Sequence, residues 1–176
     1  MANVQIRVLL MSDWEIYRRL RLLALQDSPD SFGSTYEREA EFTDEEWISR
    51  LNASNRAKHA LPLIAELDGV AVGLAWGQIH SSSSSPISMD TDAAHVYQMW
   101  MSPRARGYGL SKLLLNSIID WAKKSNRKVV CLEVTIVNEA AVNLYKSIGF
   151  VAAGETQTLR EGSALLTQTM ILELCG

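Results

Sequence analysis

The stretch from Val96 to Lys112 constrains the fold more than any other part of this chain. An apolar, aromatic-rich run that is typical of a buried strand leads into a basic turn with a proline and two glycines, and the turn opens into a helical pattern. Glycines let a backbone approach a ligand closely, and the first N–H groups of a helix point toward that ligand together with the positive end of the helix dipole. The stretch therefore predicts a strand, an anion-binding turn and a helix, with a phosphate as the natural ligand.

The length and composition of the chain favour one domain over residues 1–176. A chain of 176 residues can bury about two thirds of its unfolded surface without metals or disulfides. Its net charge of -3 argues against general nucleic-acid binding, which needs a basic face. No apolar run approaches the ~18 residues of a membrane span, and the first residues lack a signal-peptide pattern. Cys131 and Cys175 have neither metal-site nor disulfide spacing, so we expect a cytoplasmic protein without a membrane or nucleic-acid partner.

Hydrophobic periodicity along the rest of the chain predicts alternating strands and helices. Thr43 with Glu46 is typical of a helix start, and Asp68-Gly69 is typical of a two-residue hairpin turn. We expect a mixed α/β fold with a largely antiparallel sheet of about seven strands flanked by four helices. The predicted order is a strand at 4–8, a helix from 14, a long connection at 26–42, a helix from 43 to near Ser54, strands at 61–67 and 70–79, a flexible excursion at 81–92, a strand from 96, a helix from 110 to about 125, a strand at 128–134, a helix at 138–148, and strands at 150–158 and 164–174.

Two segments resemble motifs of the GNAT acetyltransferase superfamily. Residues Arg106 to Ser111 are similar to that family's acyl-CoA signature, Gln/Arg-x-x-Gly-x-Gly/Ala, except that Ser111 stands at the last position. Residues Asn138 to Phe150 are similar to its N-x-x-A-x-x-L/F-Y-x-x-x-G-F segment, with Tyr145 at the tyrosine position. The two motifs lie on the expected elements, and the order of elements around them fits the family over roughly the whole chain. The resemblance implies the GNAT-like sheet, splayed between its fourth and fifth strands.

The resemblance implies acetyl-CoA as the acyl donor, bound without a metal ion. Backbone N–H groups of the turn would hold its pyrophosphate, and the backbone of the fourth strand would pair with its pantetheine arm like an added strand. Asn138 would hydrogen-bond the same arm, although a role as helix N-cap alone stays open. The residues implied for acetyl-CoA are Met99, Met101, Arg106, Gly107, Gly109, Leu110, Ser111 and Asn138.

The resemblance also implies transfer of the acetyl group to a primary amine by direct attack in a ternary complex. Tyr145 would be the general acid at the departing sulfur, against the alternative of a tyrosine that only packs on the sheet. Glu133, a carboxylate within an apolar strand, is a candidate base or else a paired structural glutamate. Phe32, Tyr36 and Tyr97 are candidates for binding the acceptor.

The identity of the acceptor and the assembly stay open at this level. A small-molecule amine and a protein N-terminus both fit, and the slight acidity of the chain mildly favours a cationic acceptor. The alternative to an enzyme is a module that keeps the acyl-CoA site but serves as a sensor or interaction subunit without turnover. Members of the family often form dimers through their C-terminal strands, and a homodimer is open here.

Overall fold

The computed structural model describes residues 1–52, 59–80 and 92–175. Within these ranges the chain forms five α-helices and a single sheet of eight strands. None of the helices described is both long enough and apolar enough to cross a membrane. The strands are β1 (Val4–Val8), β2 (Ala60–Leu67), β3 (Val70–Gln78), β4 (Ala93–Met101), β5 (Val129–Thr135), β6 (Val151–Ala152), β7 (Gln157–Thr158) and β8 (Leu166–Glu173), and the helices are α1 (Trp14–Asp27), α2 (Tyr36–Ala40), α3 (Asp44–Leu51), α4 (Leu110–Lys124) and α5 (Glu139–Ile148).

The sheet confirms the predicted mixed, largely antiparallel topology. Its order is β1-β2-β3-β4-β5-β8-β6, with β7 also paired to β8, and only β4 and β5 run parallel. Pairing of β4 with β5 ends at Val96 and Leu132, although β4 continues to Met101 and β5 continues to Thr135. The two strands therefore diverge, and a gap opens between the fourth and fifth strands as the resemblance implied.

Hydrophobic layers cover both faces of the sheet, because neighbouring residues of a strand point to opposite sides. In β2, Leu63 and Ala65 pack in the layer that contains α4, whereas Ile64 packs in the layer that contains α1 and α3. Tyr145 of α5 belongs to the first layer. The end of α1 and the start of α5 consequently approach the gap from opposite faces of the sheet.

Local sequence signals account for several element boundaries. The Thr43 hydroxyl accepts from the Glu46 N–H at 3.2 Å, and the Glu46 carboxylate accepts from the Thr43 N–H at 2.7 Å, which is the predicted capping box. Asp68 and Gly69 both have positive φ, 51° and 78°, as a tight hairpin turn between twisted strands requires. Gly149 ends α5 with a φ of 116°. These boundaries are confirmed where they were predicted.

Two predicted elements in the N-terminal half are different in the structure. The long connection predicted at 26–42 contains the end of α1 and the short helix α2, whose N-cap Thr35 accepts from the Arg38 N–H at 3.4 Å. The helix after Thr43 ends at Leu51, because the next residue is extended, with ψ of 117°. The predicted end at Ser54 lies outside the described residues, as do residues 81–91 of the predicted excursion.

The strand predicted at 150–158 is also wrong as a single element. It divides into β6 and β7, so the sheet has eight strands rather than about seven. Gly154, with a φ of 73°, turns the chain between them. The Gln168 side chain then donates to the carbonyls of Ala153 and Gly154 at 3.0 and 3.2 Å. A side chain of β8 thus replaces the ladder hydrogen bonds that a continuous strand would have made.

Candidate active site

Two clefts open at the gap between β4 and β5. One, here called the turn cleft, has a volume of about 540 Å³ and lies between residues 27–31, the end of β4, the turn before α4 and the start of α5. The other, the strap cleft, has a volume of about 610 Å³ and lies between β4, β5 and residues 29–34, which we call the strap. The residues that border both clefts are Ser31, Met99, Asn138, Ala141 and Tyr145.

The turn before α4 has the features of the predicted anion-binding site. Gly107 and Gly109 have φ values of 88° and 75°, a region that residues with a side chain rarely adopt. Apart from chain neighbours, a Cβ at either glycine would meet no atom within 4 Å, so the space beside them is open. Gly109 immediately precedes α4, and the first N–H groups of a helix have no intrahelical partner. The N–H groups of Leu110 and Ser111 belong to this first turn.

Arg106 differs from the prediction for the turn. Its backbone N–H donates to the carbonyl of Pro103 at 3.3 Å, so this donor is already engaged in a short 3-10 turn. Its side chain, by contrast, makes long-range contacts. Nε donates to the Met101 carbonyl at 3.1 Å, and Nη2 donates to the Asp27 carboxylate at 2.9 Å. Arg106 therefore ties the turn to β4 and α1.

Asp27, the last residue of α1, is a residue of the site that sequence reasoning missed. Its Oδ2 accepts from the Trp100 indole at 2.9 Å, from Arg106 at 2.9 Å and from the Ser28 hydroxyl at 2.7 Å. Burial tends to raise the pKa of this carboxyl, but the bonds from Trp100 and Ser28 and the Arg106 charge outweigh burial, so the pKa lies below its usual value. Trp100 and Arg106 lie 73 and 79 residues away along the chain, beyond the reach of any local pattern.

The edge of β4 that faces the gap carries the backbone groups predicted for the pantetheine arm. The Ser102 N–H donates to the Val72 carbonyl at 2.8 Å, which makes Gly73 and Met101 a non-hydrogen-bonded pair of the β3–β4 ladder. The N–H and C=O groups of Met101 consequently point away from β3 and toward the gap. Met99 lies at an irregularity of the same ladder, where the register shifts between Leu74 and Trp76 and Gln98 has a φ of 54°, so its pairing with the arm stays a prediction.

Tyr145 lies where the two clefts meet. Its side chain is buried, with 6% of the residue exposed, and its ring lies 6.0 Å from that of Phe150. Its hydroxyl makes no hydrogen bond to any described residue. Burial raises the pKa of the phenol to about 12. The hydroxyl is therefore a neutral hydrogen-bond donor at physiological pH, and its proton is available to a group in the clefts.

Asn138 caps α5 and also borders both clefts. Its Oδ1 accepts from the Ala141 N–H at 3.2 Å, as an N-cap side chain does. Its Nδ2 donates to the Ser31 hydroxyl at 3.3 Å. The capping role is present in the structure, and a hydrogen bond to the pantetheine arm remains a prediction.

The three residues predicted for the acceptor occupy different places. Phe32 and Tyr97 border the strap cleft, whereas Tyr36 is not among the described residues that line it and packs against the α1–α3 layer. The Phe32 ring is 4.8 Å from the guanidinium carbon of Arg21. Tyr97 is 42% exposed, and its hydroxyl lies 3.0 Å from Nε2 of His80.

Glu133 borders the strap cleft as an exposed residue of β5. Its neighbours Leu132 and Val134 are buried, so alternation along the strand explains a carboxylate within this apolar run. Burial, together with the charges of Glu133 and Cys131, raises the pKa of the Tyr97 phenol. The Glu133 carboxylate and the Tyr97 phenol thus border the same cleft.

Solved structures share this fold. The structure is similar to that of an acetyltransferase of the GNAT family from Streptococcus pneumoniae, with a TM-score of 0.79 and 23% sequence identity. The match covers 98% of this chain and 100% of that chain. It is also similar to yncA from Salmonella typhimurium, whose structure includes its cofactor acetyl-CoA, with a TM-score of 0.78, 20% identity, and coverage of 99% of this chain and 95% of that chain.

Curated relatives match over shorter stretches. An uncharacterized N-acetyltransferase of Methanocaldococcus jannaschii is 36% identical over 59 residues, which are 34% of this chain and 26% of that protein. The chain spans between 22% and 28% of the length of the first curated relatives that it matches. Residues 19–150, most of the chain, match the acetyltransferase (GNAT) family, and with the splayed sheet and its glycine turn this match shows that the chain belongs to the GNAT family.

Proposed function

We propose that this protein transfers the acetyl group of acetyl-CoA to a primary amine by direct attack in a ternary complex. The observation that carries the proposal is the place of Tyr145, which borders both the cleft with the anion-binding turn and the cleft beside it. Membership of the acetyltransferase family, and the acetyl-CoA in yncA, support the choice of donor.

The turn cleft would bind acetyl-CoA through backbone groups. The pyrophosphate accepts from the N–H groups of Gly107, Gly109, Leu110 and Ser111, and each such charge-assisted bond contributes on the order of 1.5–3 kcal/mol. The pantetheine arm pairs with the edge of β4 at Met99 and Met101 and enters the gap toward Tyr145. The ion pair of Asp27 with Arg106, at 2.9 Å, holds the turn in the geometry that this requires.

In the reaction the amine nitrogen attacks the thioester carbon. The new C–N bond forms, the C–S bond breaks, and its electron pair leaves with the sulfur. Tyr145, whose pKa is about 12, donates a hydrogen bond to that sulfur. Complete transfer of its proton to a thiolate of ordinary pKa, ~8.5, would cost about 5 kcal/mol. We therefore propose that Tyr145, the predicted general acid, acts mainly through this hydrogen bond, and the proton lost by the amine balances the proton gained by the sulfur.

A base is needed only to the extent that the acceptor is protonated. At neutral pH an α-amine costs about 1 kcal/mol to deprotonate, whereas a lysine-like amine costs roughly 4–5 kcal/mol. Glu133 is the candidate base, because it is exposed to the strap cleft beside Tyr97. Its role matters most for the more basic acceptors.

Release of CoA thiol from acetyl-CoA tests the proposed function. The purified protein is assayed with an acidic, a basic and an apolar amine, namely L-aspartate, spermidine and phenethylamine, and with the peptide Ala-Ser-Gly-Ala-Ser-Gly. Amine-dependent release is expected for at least one acceptor. Tight binding of CoA in calorimetry, without release for any acceptor in a wider amine panel, would instead support the acyl-CoA sensor.

The cellular location and the assembly are expectations of the same proposal. We expect the enzyme to act in the cytoplasm, and a homodimer through the C-terminal strands stays open. Light scattering during size-exclusion chromatography distinguishes a monomer of 19.6 kDa from a dimer.

A further inference from the structure

Side chains from the end of β5 and the start of α5 donate hydrogen bonds to the strap. The Thr135 hydroxyl, at the end of β5, donates to the Asp30 carbonyl at 2.6 Å. Asn138, at the start of α5, donates to the Ser31 hydroxyl at 3.3 Å. The strap is therefore fixed beside the gap, at the border between the two clefts.

Arg160, which follows β7, is a further donor of hydrogen bonds to the strap. It lies in the turn between β7 and β8, and its Nη1 donates to two strap carbonyls, those of Pro29 at 3.1 Å and Phe32 at 2.9 Å. The preceding residue, Leu159, borders the strap cleft, and its carbonyl would be 3.7 Å from a Cβ placed on Gly33. The turn and the strap are thus in contact beside the strap cleft.

Phe32 is the strap residue whose position depends most on this contact. Its carbonyl accepts from Arg160, and its ring packs on the guanidinium of Arg21. Arg21 is itself fixed, because it donates to the Glu39 carboxylate at 3.0 and 2.8 Å. With 7% of the residue exposed, Phe32 forms a buried part of the cleft wall.

We propose that Arg160 is a positioning residue that closes the strap over the acceptor and that, given the proposed function, the closed cleft takes a small-molecule amine in preference to a polypeptide N-terminus. The volume of about 610 Å³ fits the range of ~300–1,000 Å³ that is usual for small-molecule sites. An extended polypeptide needs an open path of about 3.3 Å for every residue that follows its amine. In this proposal, the contact between Arg160 and the strap closes one side along which such a chain would leave.

Substitution of Arg160 tests the positioning role. For the best small amine of the panel, R160A is expected to raise KM about tenfold, because two hydrogen bonds to the strap are lost. The KM for acetyl-CoA should change less, by under about threefold, since backbone groups of the turn bind it, although Pro29 and Ser31 of the strap also border the turn cleft. R160K should restore most of the affinity, because an ammonium can donate to both carbonyls.

Arg19→Ala is the matched control. Arg19 is exposed on α1 and makes no hydrogen bond or ion pair with the described residues. R19A is expected to leave both KM values unchanged. Equal increases in the two KM values of R160A, or no increase in either, would overturn the positioning role.

The proposed preference for a small-molecule amine is tested separately, by comparing kcat/KM for a small amine with kcat/KM for a peptide. The wild-type protein should acetylate the best small amine of the panel with a kcat/KM at least about a hundredfold above that for Ala-Ser-Gly-Ala-Ser-Gly, and R160A should narrow this ratio. A wild-type protein that acetylates the peptide as efficiently as the best small amine overturns the class.

If no acceptor releases thiol, the proposed function has failed, and the role of Arg160 is still decided by hydrogen exchange. Strap amides should exchange faster in R160A than in R19A, and equal rates would overturn it.

Discussion

The turn cleft and the strap cleft are assembled in different ways. The turn cleft presents N–H groups of consecutive residues, in a conformation that two glycines with positive φ make accessible. The strap cleft is bordered by side chains of several elements, and its wall is held by bonds such as Thr135 to Asp30 and Arg160 to Phe32, which span 105 and 128 residues. A local motif therefore forms the predicted anion-binding turn, although Asp27 ties it to distant residues, whereas the strap is held mainly by long-range contacts.

Substitution of Gly109 is expected to have the largest effect and to act on the turn cleft alone. G109V should raise the KM for acetyl-CoA about a hundredfold, because the side chain strains the turn and enters the space for the pyrophosphate, at the cost of about two charge-assisted hydrogen bonds. The matched control is Gly69→Val, since Gly69 has a similar φ of 78° and equally open surroundings in the β2–β3 hairpin. A similar KM increase in G69V would show that backbone strain alone explains the effect.

Removal of the Tyr145 hydroxyl tests the point where the clefts meet. Y145F should lower kcat by about 10- to 100-fold through loss of a charge-assisted hydrogen bond, while the KM for acetyl-CoA stays within about twofold. The phenol keeps its proton below a pH of about 12, so the loss should be equal at every pH from ~6 to ~10. Steady-state rates over this range are the measurement, and full turnover in Y145F would remove Tyr145 from the mechanism.

Asp27→Asn tests whether the turn cleft also depends on a long-range contact, the ion pair of Asp27 with Arg106. The amide can still accept from Trp100 but loses the charge that pairs with Arg106, so we expect the KM for acetyl-CoA to rise about fivefold, as for loss of a partly exposed ion pair. Asp44→Asn, which breaks the exposed pair of Asp44 with Arg18 at 3.1 Å, is the control.

The lowered pKa of Asp27 predicts how the difference in KM between D27N and wild type varies with pH. Hydrogen bonds and the Arg106 charge hold the pKa of Asp27 below its usual value of 3.8. The carboxylate is therefore ionised from pH ~5 to ~9, and the difference in KM between D27N and wild type should be constant over that range. A difference that fades as the pH falls from ~7 to ~5 would contradict this assignment.

The smallest effect is expected on the acceptor side. E133Q should lower kcat/KM about threefold at pH ~7 for an acceptor of pKa ~8, and the loss should vanish at pH ~9, where the amine is already neutral. Glu173→Gln, an exposed residue of β8 opposite Val129, is the control. A loss that persists at pH ~9 would indicate that Glu133 contributes to binding rather than to deprotonation.

Sequence reasoning succeeded where a few adjacent residues carry the signal. The capping box of Thr43, the Asp68-Gly69 turn and the end of α5 at Gly149 are all confirmed. It failed for the strand at 150–158, because a side chain of β8 takes the carbonyls at the break. Among candidate site residues, Asp27 and Arg160 carried no local signal, since their partners are distant in sequence.

By itself the sequence determined most of the order of elements, the anion-binding turn and the resemblance to an acetyltransferase family, since these depend on periodicity, glycines and caps within short windows. It missed α2 and the division of the strand at 150–158. Only the tertiary structure decided that the N–H of Arg106 is engaged, that Tyr36 lies away from the strap cleft, and that Asp27 and Arg160 hold the two sides of the site. The physical reason is that hydrogen bonds and burial between distant segments depend on how the layers pack, which no short stretch of sequence specifies.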